Sequence, residues 1–232
     1  MMMSDILAAV LVTSAFAVMA HALGMVGRSG AIGGFFIGVV IFLALGPPGF
    51  AVLAFFVVGG SALTRVGYER KRRSGTAQTG GGRRGARNAL ANCSVAVACA
   101  VLYALTNHEP LAAAFVASLG AAFADTAESE VGQIYGKSPR LITNLRRVRA
   151  GTDGAISVHG TLAGISAAAV TALLGLALGL VDGFGAAMIV SLAAFLGTLA
   201  DSLVGARIPR IGNEATNVIC TLVAAAVALL LA

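Results

Sequence analysis

An acidic cluster lies near the middle of the chain, where a long apolar stretch ends. Asp125, Glu128 and Glu130 fall within six residues, and Ser129 lies among them. Residues three and four apart share a face of a helix, so Asp125, Glu128, Ser129 and Gly132 are expected to line one side. Carboxylates beside an apolar stretch are costly to desolvate unless they meet cations, metal or water. Their oxygens are hard ligands that suit Mg²⁺, and a solvated helix end is the alternative interpretation.

A further acidic residue, Asp201, repeats this arrangement later in the chain. Residues 119–125 read LGAAFAD and residues 196–201 read LGTLAD, and each aspartate closes an apolar stretch ahead of a glycine and a basic segment. This weak internal repeat predicts two half-sites, formed by the ends of two helices. The candidate catalytic residues are Asp125, Glu128, Ser129 and Glu130, and the candidate Mg²⁺ ligands are Asp125, Glu128, Glu130 and Asp201.

Cationic and glycine-rich segments follow the acidic cluster and suit phosphate. Arginine and lysine neutralise phosphate charge, and a glycine-rich turn before a helix can direct backbone N–H groups at an anion. The candidate nucleotide-binding residues are Lys137, Arg140, Arg146, Arg147, Gly151, Thr152, Asp153 and Gly154. The alternative for the cations is a topology signal combined with contact to anionic lipid head groups.

A third group of candidates combines arginines with side-chain amides. Asn88 and Asn92 are four residues apart, as are Asn213 and Asn217, so each pair shares a helix face. Such amides bind a ligand or form hydrogen bonds between helices. The candidates for binding a substrate head group are Arg83, Arg84, Asn88, Asn92, Asn213 and Asn217. The sequence contains no P-loop, dinucleotide fingerprint, nucleophile elbow or zinc spacing, so any nucleotide is held without those motifs.

The segments that must position these groups are apolar helices. Hydrophobic residues make up 58% of the 232 residues and charged residues 11%, against about 25% charged in a typical soluble domain. We therefore predict an all-α, polytopic membrane helix bundle in a single domain over residues 1–232. Apolar stretches predict spans near 6–26, 31–46, 49–64, 88–106, 111–132, 155–181, 184–204 and 215–232. The second and third are short and meet at Gly46-Pro47-Pro48-Gly49, which predicts a tight turn between them. The alternative is one hairpin that does not cross the membrane fully, so about seven or eight helices are expected.

The loops between these helices predict the orientation of an integral cell membrane protein. All 16 lysines and arginines follow the first, third, fifth or seventh apolar stretch: Arg28, eight residues in 65–87, five in 137–149, and Arg207 with Arg210. The other loops and both termini have none. By the positive-inside rule, 65–87 and 136–154 are basic cytoplasmic loops, both termini lie outside, and the candidate site faces the cytoplasm.

Several motifs of the chain resemble a known membrane family. They are Asp125-Thr126-x-x-Ser129-Glu130-x-Gly132, Lys137-Ser138-Pro139-Arg140-Leu141-Ile142-Thr143, Gly151-Thr152-Asp153-Gly154, Gly-x-Arg87-Asn88-x-x-x-Asn92, and Asp201-Ser202-Leu203-x-Gly205-Ala206 followed by Asn213 and Asn217. The family includes the phytyl-phosphate kinase of plant vitamin E synthesis and its bacterial and archaeal relatives, and the resemblance covers nearly the whole chain. More distantly, Asp-x-x-x-Ser with a following Gly-Lys is similar to the CTP-dependent dolichol and phytol kinases and the CDP-diacylglycerol synthases.

The resemblance implies transfer of a phosphoryl group from CTP, or another nucleoside triphosphate, to a prenyl monophosphate such as phytyl or geranylgeranyl phosphate. The product is the prenyl diphosphate, and Mg²⁺ is the expected cofactor. Membrane lipids are further expected partners, nucleic acid is not, and the oligomeric state is left open. The alternatives are a CTP-dependent cytidylyltransferase that makes a CDP-lipid and a transporter of an anionic or lipid solute. A transporter needs polar residues near the bilayer midplane, whereas here they cluster on one side.

Overall fold

Helices form almost the whole molecule in a computed structural model that describes residues 3–208 and 211–231. In this part of the chain, seven helices are long and apolar enough to cross a membrane, which confirms the predicted all-α membrane bundle. The helices are α1 (Met3–Ala22), α2 (Arg28–Arg65), the short α3 (Tyr68–Arg73), α4 (Ala86–Thr106), α5 (Pro110–Tyr135), α6 (Val158–Ala177), α7 (Gly183–Arg207) and α8 (Asn213–Leu231). A 3₁₀ turn (Gly80–Gly82) and two short strands, β1 (Arg140–Leu141) and β2 (Ala155–Ile156), lie between them.

Helix α2 reverses direction at Gly46 and forms two antiparallel limbs. Gly46 has a φ of 67°, and the two prolines that follow it cannot donate hydrogen bonds to the preceding turn. A Cβ atom added to Gly38 would lie 3.1 Å from the ring of Phe50, although twelve residues of straight helix would separate them by about 18 Å. The predicted tight turn at residues 46–49 is confirmed. Each limb is about 27 Å long, close to the thickness of the hydrocarbon core.

Helix α5 is the centre of the bundle. Every residue from Leu111 to Ala124 is buried, whereas α1 buries only Ala9, Thr13 and Ala20. Helices α4, α6, α7 and α8 all pack against α5. The buried segment consists mainly of alanine, glycine and other small residues, which allow helix backbones to approach closely where lipid provides no hydrophobic drive.

The glycines of the internal repeat lie at the contact between α5 and α7. A Cβ atom added to Gly120 of α5 would lie 3.3 Å from Cβ of Ala194, and one added to Gly197 of α7 would lie 3.1 Å from Cβ of Ala121. Close approach of these two helices therefore depends on both glycines. The aspartate that follows each glycine by about one turn is thereby brought to the same end of the bundle.

The basic loops meet at one end of the bundle. The backbone of Arg84 accepts a hydrogen bond from the Gly27 N–H at 3.0 Å and donates one to the Met25 carbonyl at 3.2 Å, which joins the first loop to the second. Arg65 donates to the Leu23 carbonyl across the same junction. A Cβ atom on Gly151 would lie 2.8 Å from Thr76, so the third loop contacts the second. This arrangement agrees with the predicted alternation of ends with and without lysine and arginine, and Arg210 lies outside the described residues.

Membrane orientation is testable by cysteine labelling, because the native Cys93, Cys99 and Cys220 are buried. We expect an impermeant maleimide added to intact cells to label His108→Cys, at the end without lysine or arginine, and not Ser74→Cys in the basic end. Permeabilising the cells should make Ser74→Cys reactive. The wild-type chain is the control for background labelling, and the reverse labelling pattern would contradict the predicted orientation.

Candidate functional site

A polar cavity of about 230 Å³ lies at the basic end of the bundle, between α4, α5, α7, α8 and the two long basic loops. Both halves of the internal repeat contribute to it. The predicted site residues that line it are Asp125, Glu128, Ser129, Glu130, Asp201, Arg84, Asn88, Asn92, Asn213, Asn217, Gly151, Thr152, Asp153 and Gly154. The cavity is smaller than the 300–1,000 Å³ typical of sites that enclose a whole organic ligand, so it matches phosphate groups and an ion more closely than a complete nucleotide.

Carboxylates from α5 and α7 form one wall of the cavity. Asp125 of α5 and Asp201 of α7 lie close enough for their charges to interact, and Glu128 lies near both. The Thr161 hydroxyl of α6 donates a hydrogen bond to Oε1 of Glu128 at 3.2 Å. Oδ1 of Asp201 is buried and has no hydrogen-bond partner within the described chain. This wall therefore combines like charges with an unsatisfied oxygen, an arrangement that a bound cation would stabilise.

The predicted cluster of four metal ligands is not formed. Within residues 3–208 and 211–231, no three His, Cys, Asp or Glu side chains are grouped so as to hold a metal ion. Glu130 is engaged by Lys71, and the remaining Asp125, Glu128 and Asp201 do not form such a group of three either. Mg²⁺ commonly takes one or two carboxylates and completes its shell with water and substrate phosphate, so Asp125 and Asp201 are a chemically suitable pair.

Glu130 forms a buried ion pair that the sequence did not reveal. Nζ of Lys71 donates to Oε2 of Glu130 and to the Thr64 carbonyl, the latter at 2.7 Å. The two charged side chains are only 1% and 4% exposed. Lys71 lies in the run Tyr68–Arg73, where four consecutive cations look alike in sequence and all are expected to be solvated. Its burial and its contacts with Thr64 and Glu130 distinguish Lys71 from its neighbours.

Arg84 forms the cationic part of the cavity wall. Its Nη2 donates to the Thr126 hydroxyl at 3.2 Å, and its guanidinium lies 5.2 Å from the centre of the Phe56 ring. Burial lowers the pKa of the Arg84 guanidinium, and the negative charges of Glu130 and Asp125 act in the opposite direction. Asn88 and Asn92 lie beside it on α4, linked by a 2.9 Å hydrogen bond from the Asn92 amide to the Asn88 carbonyl. The predicted head-group residues of α4 thus lie beside one half-buried cation.

The segment Gly151–Gly154 closes over the end of α7. A Cβ atom on Gly154 would lie 2.6 Å from the backbone nitrogen of Ala206, so only glycine fits there, and its φ of +72° also favours glycine. The turn is closed by its own hydrogen bonds, since Thr152 N–H donates to the Arg149 carbonyl and Ala155 N–H to the Thr152 carbonyl. The predicted helix start does not follow it directly, because Ala155 and Ile156 form β2, which pairs with β1.

Five predicted cations do not line the cavity, although they were expected to bind phosphate: Lys137, Arg140, Arg146, Arg147 and Arg83. All five are exposed. Arg140 lies in β1, and its guanidinium donates to the Leu145 carbonyl at 2.7 Å. Arg83 lies against Gly24 of the first loop. The β-hairpin directs the cations of the third loop away from the cavity, and Arg84 is the predicted cation that enters it.

Other polar residues of the cavity were missed because single hydroxyls and amides leave no pattern in an apolar sequence. They are Gln78, Thr126, Gln133, Ser157, Ser202 and Thr216. Gln78 comes from the second loop, whereas the others lie at helix ends already predicted to face the site. Their spacing from the predicted residues, by one or four positions on a helix, was the only available signal.

Comparisons with known proteins agree with the membrane fold. Residues 11–225 match a family described as Integral membrane protein DUF92. An uncharacterized membrane protein of Synechocystis is 43% identical over 202 residues, which cover 83% of this chain and 77% of the relative. An uncharacterized membrane protein of Methanocaldococcus jannaschii is 35% identical over 210 residues, which cover 88% of this chain and 84% of the relative.

A plant protein is also similar. Protein VTE6, chloroplastic, of Arabidopsis thaliana is 33% identical over 214 residues, which cover 88% of this chain and 64% of that relative. The chain thus spans just under two thirds of the length of VTE6. No solved structure matches the chain.

The buried ion pair can be tested against an exposed one that involves the adjacent Arg72. Lys71→Ala leaves the Glu130 carboxylate buried without its cation, so we expect a loss of about 3–5 kcal/mol in stability. The control is Arg72→Ala, which removes an exposed pair with Glu69 at 2.7 Å and should cost about 1 kcal/mol or less. Thermal unfolding in detergent, followed by circular dichroism, measures both. Equal losses in the two variants would contradict the importance of the buried pair.

The close fit of Gly154 predicts that a single methyl group displaces the turn. Gly154→Ala should lower the melting temperature and increase proteolytic cleavage between residues 136 and 157, since both the backbone and the contact with α7 are strained. Gly179→Ala is the matched control, because Gly179 has a φ of +71° and nothing within 4 Å of its Cβ position. If the two variants behave alike, the packing of the turn on α7 is not important.

Proposed function

This chain belongs to the integral membrane protein family DUF92, and from that premise we propose that it is a lipid-phosphate kinase. The proposed reaction transfers a phosphoryl group from a nucleoside triphosphate, with CTP favoured, to a prenyl monophosphate at the cytoplasmic face of the membrane. The similarity to VTE6 and the motifs that resemble the phytyl-phosphate kinase family support the substrate class. Phytyl and geranylgeranyl phosphate are the proposed acceptors.

The observation that carries the proposal is the charge pattern of the cavity. Asp125, Glu128 and Asp201 form one wall, and the half-buried Arg84 lies on another. Two anionic phosphate groups can be held in such a cavity only if cations offset their charge. Arg84 supplies one cation directly, and the carboxylate pair of Asp125 and Asp201 suits a divalent ion that would supply the other. A carboxylate wall alone would repel phosphate, and an arginine alone would leave the acids unexplained.

Phosphoryl transfer needs groups that neutralise and position phosphates, and it needs no catalytic triad. An oxygen of the prenyl monophosphate attacks the γ-phosphorus of the nucleoside triphosphate, and the bond from that phosphorus to the bridging oxygen breaks. The products are the prenyl diphosphate and the nucleoside diphosphate. The attacking oxygen is already anionic, so the reaction requires no strong general base, and catalysis rests on positioning and charge neutralisation. The cavity contains no catalytic triad among the residues that the structure describes, which agrees with that requirement.

Each wall has a separate part in positioning the two substrates. Arg84, Asn88 and Asn92 would hold the acceptor phosphate from the α4 side. Asp125 and Asp201, with Glu128 close by, would hold Mg²⁺, which neutralises phosphate charge when bound. The volume of about 230 Å³ leaves the ribose and base in the open mouth, near Gly151–Gly154 and the exposed cations of the third loop. Ser129 lines the cavity next to Glu128 and would contact phosphate through its hydroxyl.

Charge distribution argues against the transporter alternative. The buried part of α5 from Leu111 to Ala124 contains no charged residue, and the polar groups of the cavity all lie at the basic end. A solute pathway would need polar groups further along the bundle. Cytidylyl transfer uses the same two substrates and the same charges, so its products must distinguish it. The kinase releases CDP from CTP, whereas the cytidylyltransferase releases pyrophosphate and forms a CDP-lipid.

The direct experiment incubates the purified full chain in liposomes with Mg²⁺, a panel of prenyl monophosphates and each nucleoside triphosphate. We expect mass spectrometry to detect a prenyl diphosphate and CDP. Pyrophosphate and a CDP-lipid would instead support cytidylyl transfer. The absence of any product with every combination, from protein that remains folded, would overturn the proposed function.

Removal of one carboxylate separates a catalytic from a structural role. Asp125→Asn and Asp201→Asn should each lower turnover about a hundred-fold or more, by analogy with the loss of other groups that stabilise transition-state charge. Because the two aspartates repel each other, neither substitution should lower the melting temperature in Mg²⁺-free buffer. Asp182→Asn, at the exposed far end of α7, is the control and should retain full activity. Full activity of Asp125→Asn would contradict the proposed role of the acidic wall in turnover.

A further inference from the structure

A second cavity, mainly apolar, adjoins the polar one and shares Arg84 and Asn88 with it. It is a narrow groove of about 50 Å³ between α1, the two limbs of α2 and the start of α4. Phe16, Phe50 and Phe56 contribute aromatic rings to its walls. Below Arg84 and Asn88 the lining is almost entirely aliphatic and aromatic, so the groove suits a hydrocarbon.

The groove extends from the polar cavity toward the middle of the membrane. On α2 it is lined from Gly30 to Ile37, which corresponds to about 10 Å along a helix. The end nearest the site contains Arg84, whose backbone is fixed by hydrogen bonds to Met25 and Gly27. The opposite end is formed by apolar side chains around Ile37 and Phe50. A bound molecule with an anionic end and a hydrocarbon end would therefore fit in only one direction.

Arg84 connects the two cavities. One face of its guanidinium lies over the Phe56 ring of the groove, and Nη2 reaches Thr126 of the polar cavity. A cation at the junction of an apolar groove and an acidic cavity matches the point where an anionic head group joins a hydrocarbon tail. Continuity with the polar cavity and charge complementarity at the junction both indicate the same occupant.

We propose that this groove binds the prenyl tail of the phosphate acceptor, with the first phosphate held at Arg84 and Asn88. The inference rests on the proposed function for the identity of the head group, and it adds the subsite that selects the chain. The occupant is the substrate tail and not an acyl chain of the surrounding bilayer. Chain-length preference is thereby assigned to α1, α2 and the start of α4, away from the acids of α5 and α7.

Gly34 offers a way to fill the groove without disturbing the fold. It lines the groove, and a Cβ atom added to it would meet nothing within 4 Å. Gly30, one turn earlier, is unsuitable because its Cβ position overlaps the backbone of Arg84. Gly185 of α7 is the matched control, since it is a helical glycine with open space at its Cβ position and lies outside the groove.

The test compares a five-carbon and a twenty-carbon prenyl monophosphate as acceptors for full-length protein in liposomes. Gly34→Phe should raise the KM for the twenty-carbon substrate at least about ten-fold, the effect of losing the burial of about two methylene groups. The KM for the five-carbon substrate and the kcat for both should change less than two-fold, and Gly185→Phe should change neither. If Gly34→Phe changes the KM for both substrates equally, or for neither, the groove does not bind the prenyl tail. Bilayer lipid would then be its occupant.

A second measurement does not depend on turnover. A twenty-carbon prenyl monophosphate that carries a diazirine in its second isoprene unit should label peptides of α1, α2 or α4 on illumination, and Gly34→Phe should abolish that labelling. Labelling of these peptides without any phosphoryl transfer would contradict the kinase and support the groove. Phosphoryl transfer together with labelling of peptides outside α1, α2 and α4 would contradict binding of the tail in the groove and support the kinase.

Discussion

Carboxylates buried at the end of an apolar helix bundle must meet positive charge, and this constraint accounts for most of the architecture around the cavity. Glu130 meets it with Lys71, which reaches over from α3 and is almost fully buried. Among the described residues, Asp125, Glu128 and Asp201 have no such lysine, and the half-buried Arg84 shares the cavity with them. In this part of the chain, one acid is therefore neutralised by a lysine and a group of others lies in the cavity without an ion pair. That division between a structural and a free acid is the strongest physical argument for a functional site.

The position of these acids depends on how closely two helices approach. Gly120 and Gly197 allow α5 and α7 to pack with their backbones near each other, and each glycine comes about one turn before an aspartate. The repeat LGxxxAD and LGxxAD thus combines a packing element with a chemical one. A larger residue at either glycine would separate the helices and, with them, the two carboxylates. Packing along the bundle and chemistry at its end are in this way determined by the same short motif.

The site is closed by irregular segments that the bundle alone would not specify. The Gly151–Gly154 turn rests on the end of α7, and β1 with β2 holds the third loop in a hairpin. The arginines of this hairpin are exposed and do not line the cavity, whose lining includes Arg84. The result is a small cavity with several acids inside it and cations on the surface of the adjoining loop. Surface cations of this kind would favour the approach of anions such as the proposed substrates.

The sequence by itself determined the features that follow from hydrophobicity, charge and local spacing. Composition predicted a helical membrane bundle, the Gly46-Pro47-Pro48-Gly49 segment predicted the tight turn within α2, and the distribution of lysine and arginine predicted which helix ends lie together. The acids at 125, 128 and 201 were recognised because charges are rare in apolar segments and each one stands out. The same reasoning located Asn88, Asn92, Asn213 and Asn217 at the end of the bundle that contains the cavity.

Tertiary structure alone decided how these groups are partnered. It assigned Lys71 to Glu130, selected Arg84 from a chain of similar arginines, and excluded Lys137, Arg140, Arg146 and Arg147 from the interior. The physical reason is that a charge on a loop has no periodicity to fix its direction. Its direction is set by the angle of α3, by the pairing of β1 with β2, and by contacts between residues far apart in the chain. Helix faces can be read from a sequence, whereas the partner across an interface depends on packing that only the folded chain determines.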